Sequence, residues 1–510
     1  MNENNKRIAK NTLVLYVRML AMMVISIYTS RVILKSLGIE DYGIYNVVGG
    51  FVSMFTMISG SLNNAINRFL MFDIGKGNIE QLTKTFSSAV TIQMLLALIF
   101  FIIAETIGLW FLNYKMVIPE SRILATNFVY QFSIISFMLS LITIPYNAII
   151  IAHEKMSIFA YMSILDVVGK LLIAWSTQYT PTDKLIFFSA IIMIFNLIMR
   201  LIYGIYCKRN FEECNFKFNF DKERLKEMFS FAGWNVIGSA SAILRDQGGN
   251  ILINLFFGPT VNAARAIASQ VNNAITGFVH NFQTALTPQI IKNYASSNHD
   301  YMFTLVMKGA RFSFYILFFL SLPFILNTDY ILQLWLEEVP AHSALFVQLV
   351  LILAMFDCIA NPFVTIALAT GRIRNYQLIV GGLQMLNLPI AYICLRVGSF
   401  PEIVTIVAIF MASICMVARL IILKKMVNLN IQRVCKEVFF NAIKVGLLSS
   451  IIPYLIHINN ETTFLHFMID FIFCLISSSI VILFVGCDKK ERTFIFEKVF
   501  DKLNLKNTNK

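Results

Sequence analysis

One feature limits what this chain can fold into: apolar runs of roughly twenty to thirty residues recur from end to end, separated by short polar connections. A run of that length crosses the hydrocarbon core of a bilayer as an α-helix, and lipid leaves a spanning backbone no other partner than itself. About fourteen spans follow, near 12–34, 42–66, 87–112, 122–150, 157–178, 184–206, 230–257, 260–287, 303–326, 343–369, 376–397, 401–423, 438–456 and 464–486. Composition agrees, since 57% of the 510 residues are hydrophobic and only 14% are charged. A soluble chain of this size needs far more polar surface. Met1–Lys10 is short, polar and basic, and no small-residue cleavage site follows the first run, so that run reads as a retained helix.

The formal net charge of +13 raises nucleic acid as a partner, and its distribution argues against it. With both termini inside, about 31 Lys and Arg fall in cytoplasmic segments and about 6 outside, which is the positive-inside pattern. The basic surface then faces the anionic cytoplasmic leaflet. The eight cysteines are scattered, with no CxxC and no Cys/His cluster, so neither a disulfide framework nor a metal site is expected, and no cofactor is implied.

Two consecutive spans, 230–257 and 260–287, are unusual. In the second, Asn262, Arg265, Ser269, Asn273, Thr276, His280, Gln283 and Thr287 follow one another in steps of three and four, so they share one helix face along its length. The first carries Asn235, Ser239, Asp246, Asn250 and Asn254, with Arg245 beside them. A polar line that long cannot face lipid. Such residues often only join helices, but two adjacent full-length lines with two arginines point to a water-filled cavity.

The sequence also repeats. Ser36–Gly43 joins spans one and two as Phe256–Ala263 joins spans seven and eight, and Asn46, Gly50, Ser53, Gly60, Asn64 and Asn67 give span two a polar face like that of span eight. Pro119 matches Pro340, Pro145 matches Pro362, and the loop 152–155 matches 370–374, all about 216–221 residues apart. A repeat of six spans keeps both copies in one orientation, so two lobes related by a pseudo-two-fold along the membrane normal are expected. The domains read as 1–207, a six-helix lobe; 208–228, a cytoplasmic linker; 229–425, a second six-helix lobe; and 426–510, two further helices and a tail. The cavity is expected between the lobes, walled by spans 1, 2, 7 and 8.

Isolated charges are scattered elsewhere. Asp166 and Lys170 are four apart in span five and can pair on one face. Asp357 in span ten has no partner within its own helix, and Glu105 and Asp470, nearer the outer ends, are expected to snorkel. No phosphate loop, HExxH or GxSxG motif is present, and no outer loop is long enough for an active-site domain, which points away from enzymes. Arginine near mid-membrane costs about 2.5–3.5 kcal/mol on insertion scales, yet the chain keeps Arg18, Arg245 and Arg265, with Arg31 near an outer end. A cationic, amide-rich cavity suits an anionic head group, with guanidinium for phosphate oxygens and amides for sugar hydroxyls. The alternative is that Arg245 pairs with a carboxylate and Arg265 caps a carbonyl.

The segment Asn250-Ile-Leu-Ile-Asn-Leu-Phe-Phe-Gly-Pro259, with Val261-Asn-Ala-Ala-Arg265, Asn281–Ile291 and Leu37-Gly-Ile-Glu-Asp-Tyr-Gly-Ile-Tyr45, resembles bacterial polysaccharide repeat-unit flippases. These belong to the multidrug/oligosaccharidyl-lipid/polysaccharide exporter superfamily, and the likeness covers nearly the whole chain. It implies an all-α, MATE-like, V-shaped fold of two six-helix lobes and two extra C-terminal helices. It also implies a multi-pass protein of the bacterial inner membrane that moves undecaprenyl-pyrophosphate-linked oligosaccharide outward by ion-coupled alternating access. Implied partners are the lipid-linked oligosaccharide, membrane lipids, a coupling ion (proton or sodium) and other polysaccharide assembly proteins. Candidate substrate-binding residues are Arg18, Arg31, Arg245, Arg265, Asn46, Asn64, Asn250, Asn273, His280 and Gln283. Asp246, Asp166, Lys170 and Asp357 are the candidates for ion coupling. A multidrug cation antiporter of the same fold, a peptidoglycan-precursor flippase and a non-transporting scaffold are the competing readings.

Overall fold

A computed structural model describes residues 3–38, 41, 44–45, 48, 56–114, 119–215, 222–257, 259–336, 339–459, 463–493 and 496. Fourteen long helices account for most of them, and no strand occurs among the described residues. They are α1 (Glu3–Leu37), α2 (Thr56–Lys76), α3 (Ile79–Tyr114), α4 (Glu120–Ala152), α5 (Met156–Tyr179), α6 (Lys184–Asn210) and α7 (Lys222–Phe257). The series continues with α8 (Pro259–Ala295), α9 (His299–Leu326), α10 (Ser343–Thr370), α11 (Arg374–Arg396), α12 (Ile403–Val427), α13 (Ile431–Ile458) and α14 (Phe464–Gly486). Ten of them, α3–α6 and α9–α14, are long and apolar enough to cross a membrane by length and composition. The other four, α1, α2, α7 and α8, are the helices whose polar residues lower that average. A short helix, Thr328–Trp335, lies between α9 and α10 within what the sequence presents as an outer loop. Its Leu334 and Trp335 are exposed, as suits the edge of a bilayer.

Helix ends follow local chemistry. Asn78 caps α3 by accepting from Gln81 N at 2.9 Å, and Asp183 caps α6 by accepting from the backbone N–H of Leu185 and Ile186. Residues with left-handed backbone stand at corresponding corners of the two halves. Gly77 (φ 70°) follows α2 as Ser297 (φ 60°) follows α8, and Glu154 (φ 59°) follows α4 as Gly371 (φ 75°) follows α10. Pro145 lies inside α4 as Pro362 lies inside α10. The repeat read from sequence is therefore also a repeat of backbone geometry.

The helices gather into two compact units, Met1–Val236 with Thr287–Asn298, and Ile237–Leu286 with His299–Lys510. Helix α7 thus begins in the first unit and continues in the second, and α8 does the reverse, changing membership next to Pro288.

In the first unit, Tyr130, Phe188, Ile134 and Ala174 are fully enclosed, and the Tyr130 hydroxyl donates to Ala104 O at 2.7 Å. Ser36 Oγ donates to Ala174 O at 3.0 Å, tying α1 to α5. On its loop between α4 and α5, Glu154 is buried, with three partners on its carboxylate and one on its backbone carbonyl. Arg7 Nε lies 2.8 Å from it, Lys292 Nζ 2.6 Å and Gln289 Nε2 2.5 Å, while its carbonyl accepts from Asn11. This cluster anchors the last turns of α8 onto α1 and the α4–α5 loop. Beside it, a Cβ at Gly75 would lie 2.8 Å from Lys292 Cα, so the ends of α2 and α8 touch backbone to backbone.

In the second unit, Glu491 receives two bonds from Arg311 Nη2, at 2.6 and 2.7 Å, and Lys308 approaches to 3.0 Å. These contacts hold the segment after α14 against α9. The outward face of α13 is apolar, with Ile443, Leu447, Ile451 and Leu455 exposed, whereas Ser449 and Ser478 are enclosed. Ser477 Oγ donates to Ser449 O at 2.8 Å and joins α14 to α13. Asp470 departs from expectation. It does not snorkel but is buried, 3.0 Å from His457 Nδ1 on α13, because a carboxylate with an interhelical partner gains more there than by reaching for an interface.

Candidate functional site

The polar faces of α7 and α8 meet around a cavity of about 570 Å³ within the second unit. Helix α7 contributes Arg245, Asp246 and Asn250, and α8 contributes its three- and four-step line from Arg265 to Gln283. Helix α10 adds Asp357 and Asn361, and α12 adds Thr405. Eight residues singled out in the sequence stand together here: Arg245, Asp246, Asn250, Arg265, Asn273, His280, Gln283 and Asp357. Asn272 and Asn361 were not singled out. Asn272 falls between steps of the polar line, and α10 as a whole reads as apolar.

The two arginines are held differently. Arg245 Nε lies 3.0 Å from Asp246 Oδ1, and its Nη2 lies 3.1 Å from Asp357 Oδ2, so one guanidinium serves two carboxylates. Only 14% of its side chain is exposed, against 59% for Asp246 and 38% for Asp357, so the carboxylates face the open space more than the cation does. Asp357 therefore has a partner, on another helix. Among the described residues, the Arg265 guanidinium donates one hydrogen bond, from Nη2 to the carbonyl of Asp246 at 3.3 Å. Its Nη1 is buried without a hydrogen-bond partner among the described residues, and so is Asn272 Oδ1. The guanidinium rests on Gly249, where a Cβ would stand 2.5 Å from Nη1. With two arginines and two aspartates in its wall, the cavity is charge-balanced and not net cationic. Asp357, supplied by a helix outside the expected walls, makes the difference.

The remaining candidates are elsewhere. In the first unit a smaller cavity of about 290 Å³ is lined by Asp166 and Lys170, which pair at 2.7 Å, together with Asn147, Ser163 and Tyr203. Arg18 adjoins it, with Nη1 3.3 Å from Ser163 Oγ and the guanidinium 4.5 Å from the centre of the Phe159 ring. Asn64 is exposed on α2 and lines neither cavity. The side chain of Arg31 and the whole of Asn46 lie outside the described residues. Among the described residues no group of three or more His, Cys, Asp or Glu is placed to hold a metal, and all eight cysteines are free.

Two carboxylates outside the spans, Glu213 and Asp183, are held by local partners. Burial works against ionisation of Glu213, but a 2.5 Å bond to His153 and a backbone N–H outweigh it and hold the carboxyl below the usual range. Asp183 behaves likewise. Burial raises its pKa, Arg122 and the capped N–H groups of α6 lower it, and the net shift is downward.

The arrangement of helices is that of the MATE transporters. A MATE protein crystallised in the straight conformation superposes with a TM-score of 0.70 at 12% identity, covering 84% of this chain and 97% of that one. The Vibrio cholerae MATE transporter VcmN in its bent form gives 0.65 at 14% identity over 86% and 100%. An outward-facing multidrug resistance MATE family transporter of the MOP superfamily gives 0.69 at 11% identity over 81% and 94%. At such identities the likeness establishes the fold. No curated protein sequence matches significantly. The protein is thus a multi-pass membrane protein of MATE-like fold. The chain belongs to the polysaccharide biosynthesis protein family, whose model matches residues 6–294, more than half of its length.

Proposed function

We propose that the protein is a flippase carrying undecaprenyl-pyrophosphate-linked oligosaccharide from the inner to the outer leaflet of a bacterial cytoplasmic membrane, with both termini in the cytoplasm. It moves the substrate by ion-coupled alternating access and makes or breaks no covalent bond. The observation that carries this reading is the Nη1 of Arg265, buried without a partner among the described residues in the wall of an amide-rich cavity. An unsatisfied guanidinium N–H suits a phosphate oxygen. Asn250, Asn272, Asn273 and His280 supply donors and acceptors for sugar hydroxyls. Arg245, held by Asp246 and Asp357, becomes a second anion ligand when either carboxylate takes up a proton or sodium ion, which ties substrate binding to the ion gradient. In the first unit the Asp166–Lys170 pair and Arg18 supply a second place for ion and substrate contacts.

Deleting the gene and asking which leaflet accumulates lipid-linked glycan tests the function directly. The role of Arg265 is tested in proteoliposomes carrying undecaprenyl-diphosphate N-acetylglucosamine. Arg265→Ala abolishes flipping, and Arg265→Lys, which keeps charge but loses the planar fork, impairs it less. The exposure of Asp246 and Asp357 favours a second reading, a cation antiporter of the same fold. Wild-type protein that does not flip the glycan lipid but exports a cation, with that export lost in Asp357→Asn, would select that reading.

A further inference from the structure

Pro362 has no N–H, so the carbonyl of Cys358, four residues earlier in α10, loses its helical donor. In a membrane helix such a carbonyl must be satisfied from outside. Gln283 on α8 does so, with Nε2 3.0 Å from Cys358 O. The same nitrogen lies 3.0 Å from Ser313 Oγ on α9, and Gln283 Oε1 accepts from Asn361 Nδ2 at 3.1 Å. Both donors and the acceptor of this amide are engaged by protein groups from two other helices. The residue before Cys358 is Asp357, whose carboxylate reaches Arg245.

We propose that Gln283 is a positioning residue: it replaces the hydrogen bond that Pro362 removes, fixes the course of α10 at that gap in its hydrogen bonding, and thereby sets Asp357 against Arg245. Its place on the polar line of α8 suggests a reader of sugar, but its hydrogen-bonding capacity is spent on the joint between α8, α9 and α10. Bending α10 at Pro362 moves Asp357 relative to Arg245, so the joint lets helix shape control the ion pair. The functional consequence rests on the transport reading above, whereas the structural one does not.

The test uses the full-length protein with its native cysteines replaced and spin labels at Leu345→Cys, in the first turn of α10, and Arg372→Cys, just past its end, at a separation of about 40 Å. In detergent, Gln283→Leu should broaden the distance distribution, and Pro362→Ala, which restores a donor to Cys358 O, should lengthen and narrow it. Adding Gln283→Leu to Pro362→Ala should change nothing further. Flipping is read with undecaprenyl-diphosphate bearing one N-acetylglucosamine or the chitobiose disaccharide. Gln283→Leu should slow both about tenfold, without preference, as expected for misplacement of a wall group. Unchanged distances, or a loss confined to one glycan, overturn the proposal. If Gln283→Leu fails to insert, Gln283→Glu removes the same donors at nearly the same size and is read the same way. Wild-type protein that flips neither probe would count against the transport reading and leave the distance result to judge Gln283.

Discussion

His342 holds Glu402 at 2.6 Å in the second unit at the place where Arg122 holds Asp183 at 2.6 Å in the first. Each base immediately precedes or opens the fourth helix of its half, and each acid stands just before the sixth, the partners lying 60 and 61 positions apart in sequence. The repeat has thus kept a contact between a base and an acid while changing the base. Arg122 additionally bridges to Asp41, so among the described residues the first unit carries a three-member network where the second has a pair.

Glu402 is almost fully buried, so losing its partner leaves an acceptor unsatisfied. We predict that His342→Ala lowers stability by about 1–3 kcal/mol. His342→Arg, which copies the first unit, should be milder. The midpoint of thermal unfolding in detergent checks this, and equal midpoints for wild type and His342→Ala would dismiss the pair as ornamental.

The Asp183 network predicts a pH effect of definite sign. Its folded pKa is depressed, so its contribution is fully present above the unfolded value, about 3.9, and is lost as pH falls through the folded value. Asp183→Asn retains a helix cap but not the charge. Below pH 4 the unfolding midpoint of the wild type should therefore fall more steeply than that of Asp183→Asn, and parallel curves would contradict the assignment.

Gly249 offers a way to move Arg265 without removing it. A methyl at this position occupies the space of the guanidinium, 2.5 Å from Nη1, and the flexible side chain yields before the backbone does. Gly249→Ala should reduce flipping in proteoliposomes at least as much as Arg265→Lys, with little change in unfolding midpoint. Normal flipping would mean that the resting position of Arg265 is unimportant.

Glu154 anchors the end of α8 through Lys292 and Gln289 and also contacts Arg7. Neutralising a buried carboxylate that serves two cations leaves both uncompensated, and breaking such a cluster costs about 3–5 kcal/mol. Glu154→Gln should destabilise the protein on that scale and expose Lys292 to trypsin. A Lys292→Met change in the same background should recover part of the loss, since it removes the stranded charge. Resistance of Glu154→Gln to trypsin at the wild-type level would argue that the cluster is not the anchor.

Much of this molecule is legible along the chain because its causes are local. Lipid demands helices of a certain length, so the apolar runs mark α3–α6 and α9–α14, though α3 and α13 begin eight and seven residues earlier, in polar sequence that the apolar run does not include. The step of three and four residues places Arg265, Asn273, His280 and Gln283 on one face before any neighbour is known. The repeat is readable because prolines and loop residues recur at one spacing. Partnership is decided only by tertiary structure, since it depends on how each helix is rotated against helices far away in sequence. Asp357 meets Arg245 across 112 residues, and Gln283 finds the carbonyl freed by Pro362 across 75. No periodicity within α8 or α10 encodes those meetings. They turn an apparently cationic cavity into a balanced one and an apparent sugar ligand into a joint, because a side chain's role is set by the groups that packing brings within hydrogen-bond reach.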